Sequence, residues 1–559
     1  MDIQRVSILL GLAVTSYMLI LAWNEDYNQN SPQRNDKSDI VDQTKSYSED
    51  IIETPELIAV DQGDIVPTLE TNAPILKKVD PNPSNKVVTV KTDVFRIEIN
   101  TSGGDITSVA LPMYPAQLNT PDIPYVLLDP RNSYEAQSGL IGPNGTDLKG
   151  SRPVFTTTKE FFDIGDADSL TVSLKTVQDD GSRITKDYNF KRGQYLVDLN
   201  YEITNLGTST WTGALFAQIK RDGQTPISVS DNLMGMQPYV GGATRSNEEF
   251  YKKLEFDDIE EESYKLTRDA GYIAMVQHYF VSAWIPKESN ETTYRGRKLR
   301  SSDTYLFGLT TSPIEVSSGQ TGTIGASFYA GPKDQYRLAE IAEGLDLTVD
   351  YGFLWWLAQP LFFMLTFIHS FAGNWGLAII GLTIIVKSLL YPLSAASFRS
   401  MAKMRKLQPE MMRLKERFGD DRQKFSQAMM ELYKKEGANP LGGCFPILLQ
   451  MPVFLALYWT LMESVELRQA PFFLWINDLS AMDPYFILPI LMGISMYLTQ
   501  RMQPEPPDPI QAKVFKFMPI MFTFFFLWFP SGLVLYWLVN NILSILQQLY
   551  VTRQLEKAT

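Results

Sequence analysis

FLWWLAQPLFFMLTFIHSFAG, residues 353–373, is uncharged and long enough to cross a bilayer. Whether it does so sets the side of the membrane on which every flanking segment lies. Downstream, further apolar runs fall at about 373–393, 441–462, 485–500, 517–530 and 532–549. The loop 394–440 carries 11 Lys+Arg against 6 Asp+Glu, whereas 463–484 carries one Arg and four acids. The Lys/Arg excess assigns the first loop to the cytoplasmic side and, by alternation, the second to the outside. If 353–373 also crossed, the basic loop or the N-terminus would be forced outside. Its Trp355, Trp356, Gln359, Pro360 and His369 suit a helix lying in the outer interface instead.

Upstream, Val6 to Ala22 is a 17-residue uncharged run ending at the interface residue Trp23, with no A-x-A-like site after it. It reads as an uncleaved anchor rather than a signal peptide. Parity then gives six spans, both termini inside and 24–350 outside. Residues 24–85 have the Asp-, Asn-, Ser- and Pro-rich composition of a tether. From Lys86, short stretches such as "SLTVSLKTV" and "YLVDLNYEITNLG" alternate with period two between Gly, Asn and Asp turns. They predict a large antiparallel β-sandwich, with the external domain running over 86–350.

Charge divides the chain in the same way. Residues 24–350 carry a net of −18 and residues 351–559 a net of +5, within an overall −13. An acidic external part is a poor partner for nucleic acid, and none is expected. Cys444 is the only cysteine and His278 and His369 the only histidines, so neither an internal disulfide nor a Cys/His metal site is expected. No cofactor is expected either. His278, on the apolar strand "MVQHYFVSAW", reads as packing, and no spaced acid pair in the domain suggests an enzyme.

In the apolar half the odd residue is Lys387, inside "GLTIIVKSLLYPLS", 381–394. A lysine at the centre of a membrane helix costs roughly 2.5–3.5 kcal/mol on insertion scales. Thr383, Lys387, Tyr391 and Ser394 follow at i, i+4, i+8 and i+11, which places them on one face of a continuous helix. Trp537, Asn541, Ser544 and Gln548 align similarly on the last span, with Asn540 and Gln547 alongside, and Gln450 adds an amide in the third. Polar stripes of this kind must face protein or water rather than lipid. Lys387 lies six residues, or about 9 Å of helix, from Leu393. Snorkelling of its stem to that end is the plain alternative.

Between spans, Met404, Leu407, Met411, Leu414 and Phe418 follow 3-4-3-4 spacing, with Phe425, Met429 and Leu432 as a second edge. This predicts a helical hairpin over 394–440, with a helix restarting near Pro409. It is either a solvated connector or a docking site for a ribosome or targeting factor.

Three stretches, "SMAKMRKLQPEMMRLKERFGDD", "NPLGGCFPILLQMPVFLALYW" and "FFFLWFPSGLVLYWLVNN", with "SVELRQAPFFLWINDLS" and "DPYFILPILMG", resemble the YidC membrane-protein insertases of Gram-negative bacteria. The resemblance spans essentially the whole chain. It implies a multi-pass inner-membrane insertase and chaperone, not an enzyme, that passes nascent membrane proteins through a wet groove, alone or beside the Sec translocon. It also implies that Lys387 stands where the family usually has Arg, with Thr383, Gln450, Asn541 and Ser544 as groove residues. Phe525, Tyr536 and Trp537 are the implied substrate-contact slide, although the family often has two tyrosines at the last pair. The expected division is an anchor 1–23, tether 24–85, sandwich 86–350, interfacial helix 351–372, five-span core 373–549 and cytoplasmic tail 550–559. The residues themselves also admit a transporter or channel, or an envelope sugar-binding protein. No repeated halves with broken helices favour the former.

Overall fold

The computed structural model describes residues 86–147, 152–224, 238–287, 291–300, 302–418, 421–437, 445–503 and 509–558. The expected anchor and tether, and Cys444, lie outside the described residues. The chain divides into two compact units. One, Met1–Glu56 with Glu505–Phe517, falls almost wholly outside the described residues. The other, Leu57–Pro504 with Met518–Thr559, holds the β part and nearly all of the helical part.

Alternation in the sequence becomes two sheets, of 11 and 8 strands among the described residues. The larger runs in the order Tyr264–Asp269, Glu291–Lys298, Thr304–Thr311, Trp211–Asp222, Glu135–Ile141, Asp105–Pro115, Arg96–Asn100, Val87–Lys91, Phe161–Asp163, with Ile314–Val316 beside Trp211–Asp222 and Pro124–Leu128 beside Asp105–Pro115 off this path. The smaller runs Lys252–Leu254, Gly241–Thr244, Ile273–Val276, Phe280–Pro286, Thr321–Pro332, Leu196–Thr204, Arg183–Lys191, Ser169–Val177. Pairing is antiparallel except where Val87–Lys91 meets Phe161–Asp163. Every second residue of Arg183–Lys191 and Leu196–Thr204 is buried, as period two requires when one face covers a core. Ile97, Leu215 and Phe307 from one sheet join Val197, Leu199 and Phe328 from the other in one apolar core. The Trp284 indole crosses between the layers to donate to the Gln218 carbonyl at 3.2 Å.

The helices in chain order are α1 (Phe256–Glu261), α2 (Gln335–Ile341), α3 (Trp355–Ala372), α4 (Trp375–Leu389), α5 (Tyr391–Phe418), α6 (Arg422–Lys435), α7 (Phe445–Glu463), α8 (Ile487–Arg501), α9 (Pro509–Phe525) and α10 (Ser531–Ala558). A second core joins Ala358, Leu361 and Leu365 of α3, Ile379 and Leu382 of α4, Leu457 and Leu461 of α7, Met492 of α8 and Leu533 of α10. Among the described residues, Gly352–Ala372 and Ser531–Leu555 are long and apolar enough to cross a membrane, and the bent pair α4–α5 makes a third such candidate.

Several expected boundaries move. The helix expected at 373–393 ends at Leu389, and α5 leaves it at 66°. Pro392 accounts for this: it has no N–H for the Ser388 carbonyl and its ring clashes there, so the α4 ladder stops before it, and it falls instead in the first turn of α5, where a proline is tolerated. The expected four-residue face is therefore broken, with Thr383 and Lys387 on α4 but Tyr391 and Ser394 on α5. No helix restarts at Pro409; α5 runs through it. Pro409 and Arg405, whose carbonyl loses its donor, are both exposed, so water can take that place. The run expected at 517–530 begins eight residues earlier, and α10 continues as helix through the expected tail to Ala558. Met411 of α5 and Met429 of α6 are buried, and the Tyr433 hydroxyl reaches Met411 Sδ at 3.8 Å.

Candidate functional site

Helix spacing sets the two faces of α4. Ile379, Leu382, Thr383, Val386 and Lys387 are buried, whereas Leu377, Ile384, Ile385 and Leu389 are exposed. Lys387 is thus on the inward face, 7% exposed, and its Nζ donates to Ser544 Oγ at 2.8 Å. Ser544 passes the bond on, donating to the Asn540 carbonyl at 2.7 Å. Among the described residues no carboxylate is paired with Lys387. Its nearest company is hydroxyls and amides.

Two helices, α10 and α8, supply that company. From α10, Gln547 Nε2 donates to the Lys387 carbonyl at 3.5 Å and Asn541 Nδ2 to Ser495 Oγ of α8 at 3.0 Å. Gln548 Nε2 donates to the Met502 carbonyl, just past the end of α8, at 3.1 Å. Asn540, Ser544, Gln547 and Gln548 follow at i, i+4, i+7 and i+8, a stripe on one face of α10. The side-chain oxygens of Asn540, Gln547 and Gln548 are buried and have no partner. A buried, unfilled acceptor costs about 1–3 kcal/mol, a cost that water or a bound group relieves.

The expected groove residues divide. Lys387, Ser544 and Asn541 come together with α8. Thr383 is buried and its hydroxyl is spent on the Ile379 carbonyl of its own helix, at 2.7 Å. Gln450 turns instead to the expected slide, donating to the Tyr536 hydroxyl at 2.7 Å. Tyr536 is buried, Trp537 is half-buried against the rings of Phe454 and Phe526, and Phe525 is 40% exposed. Of the three slide residues, Phe525 alone presents a substantial outer surface.

Ser495 was not singled out from the sequence. The signal existed: Ser495 and Thr499 stand at i and i+4 in the mostly apolar "GISMYLT" run, and Ser495 meets Asn541. A second cluster had no local signal. Lys333, just after the last strand, pairs with Glu463 at the end of α7 at 2.5 Å, and both side chains are 3% exposed or less. Beside them His278 Nε2 bonds the Met462 carbonyl at 2.9 Å, and Arg468 donates to the Pro115 carbonyl at 2.7 Å. A carbonyl only accepts, so Nε2 of His278 carries the proton. Burial, with Lys333 and Arg468 nearby, lowers the His278 pKa to about 3. Burial also raises Glu466 to about 7.

Two family models match the chain: "YidC periplasmic domain" over residues 87–364 and "60Kd inner membrane protein" over 367–558. The chain is 52% identical to the membrane protein insertase YidC of Cellvibrio japonicus, over the whole of this chain and 99% of that one. Its counterpart from a Marinomonas strain is 48% identical over the whole of both chains. The Pseudomonas fluorescens counterpart is 49% identical over the whole of this chain and 99% of its own.

Proposed function

This chain belongs to the family of YidC membrane protein insertases, and on that premise we propose that cargo enters it at the polar recess around Lys387. It is an inner-membrane insertase, not an enzyme, with a periplasmic sandwich and a helical membrane part that act on membrane proteins. The observation that carries the recess is a lysine buried among amides with no carboxylate of its own.

A short polar or acidic external segment of the nascent protein enters the recess. Lys387 and the amides there lower its desolvation penalty. Meanwhile the apolar segment passes over Phe525 and partitions into lipid. At about 1.5 Å per residue, the 15 residues of α4 and of α8 reach only about 22 Å, against about 30 Å of hydrocarbon. Short helices around a wet recess shorten the low-dielectric path.

Six spans place both termini in the cytoplasm and 24–372 in the periplasm, with α3 lying on the outer leaflet. Its exposed Trp355, Trp356, Phe363 and Phe367 suit that position. In this topology the α5–α6 pair is cytoplasmic, and its exposed Met412 and Met430 offer adaptable surface to a ribosome or targeting factor. Lipids and the Sec translocon are the remaining partners in this scheme.

Photocrosslinkers at 383, 525 and 537 on a stalled insertion intermediate test the path. Adducts from Phe525 are expected to be strongest, given its exposure. Silence at all three positions would put the cargo elsewhere.

A further inference from the structure

Three amide oxygens on the polar stripe of α10 are buried without a partner. Gln547 and Gln548 must point their nitrogens at the Lys387 and Met502 carbonyls, because a carbonyl accepts only. That fixes both side-chain oxygens in the opposite direction, where they stand buried and unfilled with Asn540 Oδ1. The neighbouring hydroxyls are engaged, Ser544 with the Asn540 carbonyl and Ser495 with the Met492 carbonyl, and Asn541 donates to Ser495. The Lys387 ammonium keeps donors beyond its bond to Ser544, and each amide nitrogen keeps at least one N–H beyond the bonds named.

One cation and several acceptors along a stripe complement a peptide backbone. A cationic side chain of the cargo is repelled by Lys387. An extended backbone is not: its C=O groups suit the ammonium and its N–H groups suit the amide oxygens. From residue 540 to 548 the stripe rises about 12 Å, which an extended chain covers in about four residues at roughly 3.3 Å each.

We propose that the side-chain oxygens of Asn540, Gln547 and Gln548 accept hydrogen bonds from backbone N–H groups of a short extended stretch of the cargo. This rests on the reading that cargo enters the recess, and it adds that uncharged tails are recognised through their main chain.

The test uses the full-length chain in proteoliposomes and a single-span cargo made by cell-free translation. Its uncharged external tail carries either amide bonds or, at two successive positions, isosteric esters introduced as α-hydroxy acids. An ester lacks the N–H and is easier to desolvate, so simple lipid partitioning favours the ester cargo. The proposal predicts the reverse: insertion of the ester cargo slower by about fivefold, the equivalent of one hydrogen bond of about 1 kcal/mol. The triple variant Asn540→Leu/Gln547→Leu/Gln548→Leu should treat both cargoes alike. Equal rates with the unaltered protein, or an ester penalty that persists in the triple variant, overturn the proposal. An acidic-tailed cargo run in parallel on Lys387→Ala separates the two ideas. If that cargo slows while amide and ester are equal, the recess stands and backbone recognition falls. If neither responds, the recess reading falls as well.

Discussion

One lysine lies buried in the sandwich and another among the helices, and their surroundings are opposites. Lys186 donates to the Gly103 carbonyl at 3.0 Å and the Ser138 carbonyl at 3.1 Å, with the Tyr188 and Tyr201 rings about its ammonium. Arg152 alongside bonds Asp105 at 2.6 Å and is ion-paired with Asp147 at 3.1 Å, so the cluster carries two cations and two anions. Burial still lowers Lys186 to about 7, opposed chiefly by Asp105. Among the described residues Lys387 has one hydroxyl partner and no anion. A buried cation set beside anions holds a fold together. One without an anion is available to a visitor.

The largest expected effect is on the ion-paired cluster. Lys186→Met strands two buried carbonyls and leaves two carboxylates facing one arginine. It should destabilise the sandwich by about 3–5 kcal/mol, read as a lower unfolding midpoint of the full chain. Insertion by the fraction that remains folded should be normal; a specific insertion defect would erase the contrast between the two lysines. Lys333→Ala comes next, at about 3 kcal/mol, because it leaves Glu463 buried and unpaired.

Lys387→Ala should do the reverse. Stability is expected to change little, whereas insertion of acidic-tailed cargo should fall about tenfold, the value of a charge-assisted bond of about 1.5 kcal/mol. Lys387→Arg should retain activity, since a positive charge suffices. Normal insertion of every such cargo by Lys387→Ala would end the recess mechanism.

The smallest effect is in pH. His278 drops from 6.5 to about 3 on folding. Between those values the unfolded chain holds a proton that the folded chain lacks, so stability declines as pH falls through this window. At pH 6 the loss is under about 1 kcal/mol relative to pH 8. His278→Gln keeps a donor for the Met462 carbonyl and should remove that slope. An unchanged slope would assign it to other groups.

Legibility in the sequence followed the range of the interactions. Strands of the sandwich show their period directly, and Lys387 stands out because lipid is its wrong solvent. Even the bend after Leu389 had a local mark in Pro392, overlooked because the apolar run continues past it. Gln450 was assigned to the groove and Tyr536 to the slide, yet they bond each other across 86 residues of chain. Lys333 and Glu463 are 130 residues apart. Only the folded chain joins such pairs.

The Lys333–Glu463 pair has an unequal consequence for loss and damage. Excising 86–320 removes the strands that pack around this junction, and water then hydrates both ions, which no longer need each other. Altering Lys333 alone keeps the cover in place and traps an uncompensated carboxylate beneath it. The periplasmic domain should therefore be safer to delete whole than to injure at this one contact, and mutational sensitivity there would measure shielding rather than necessity.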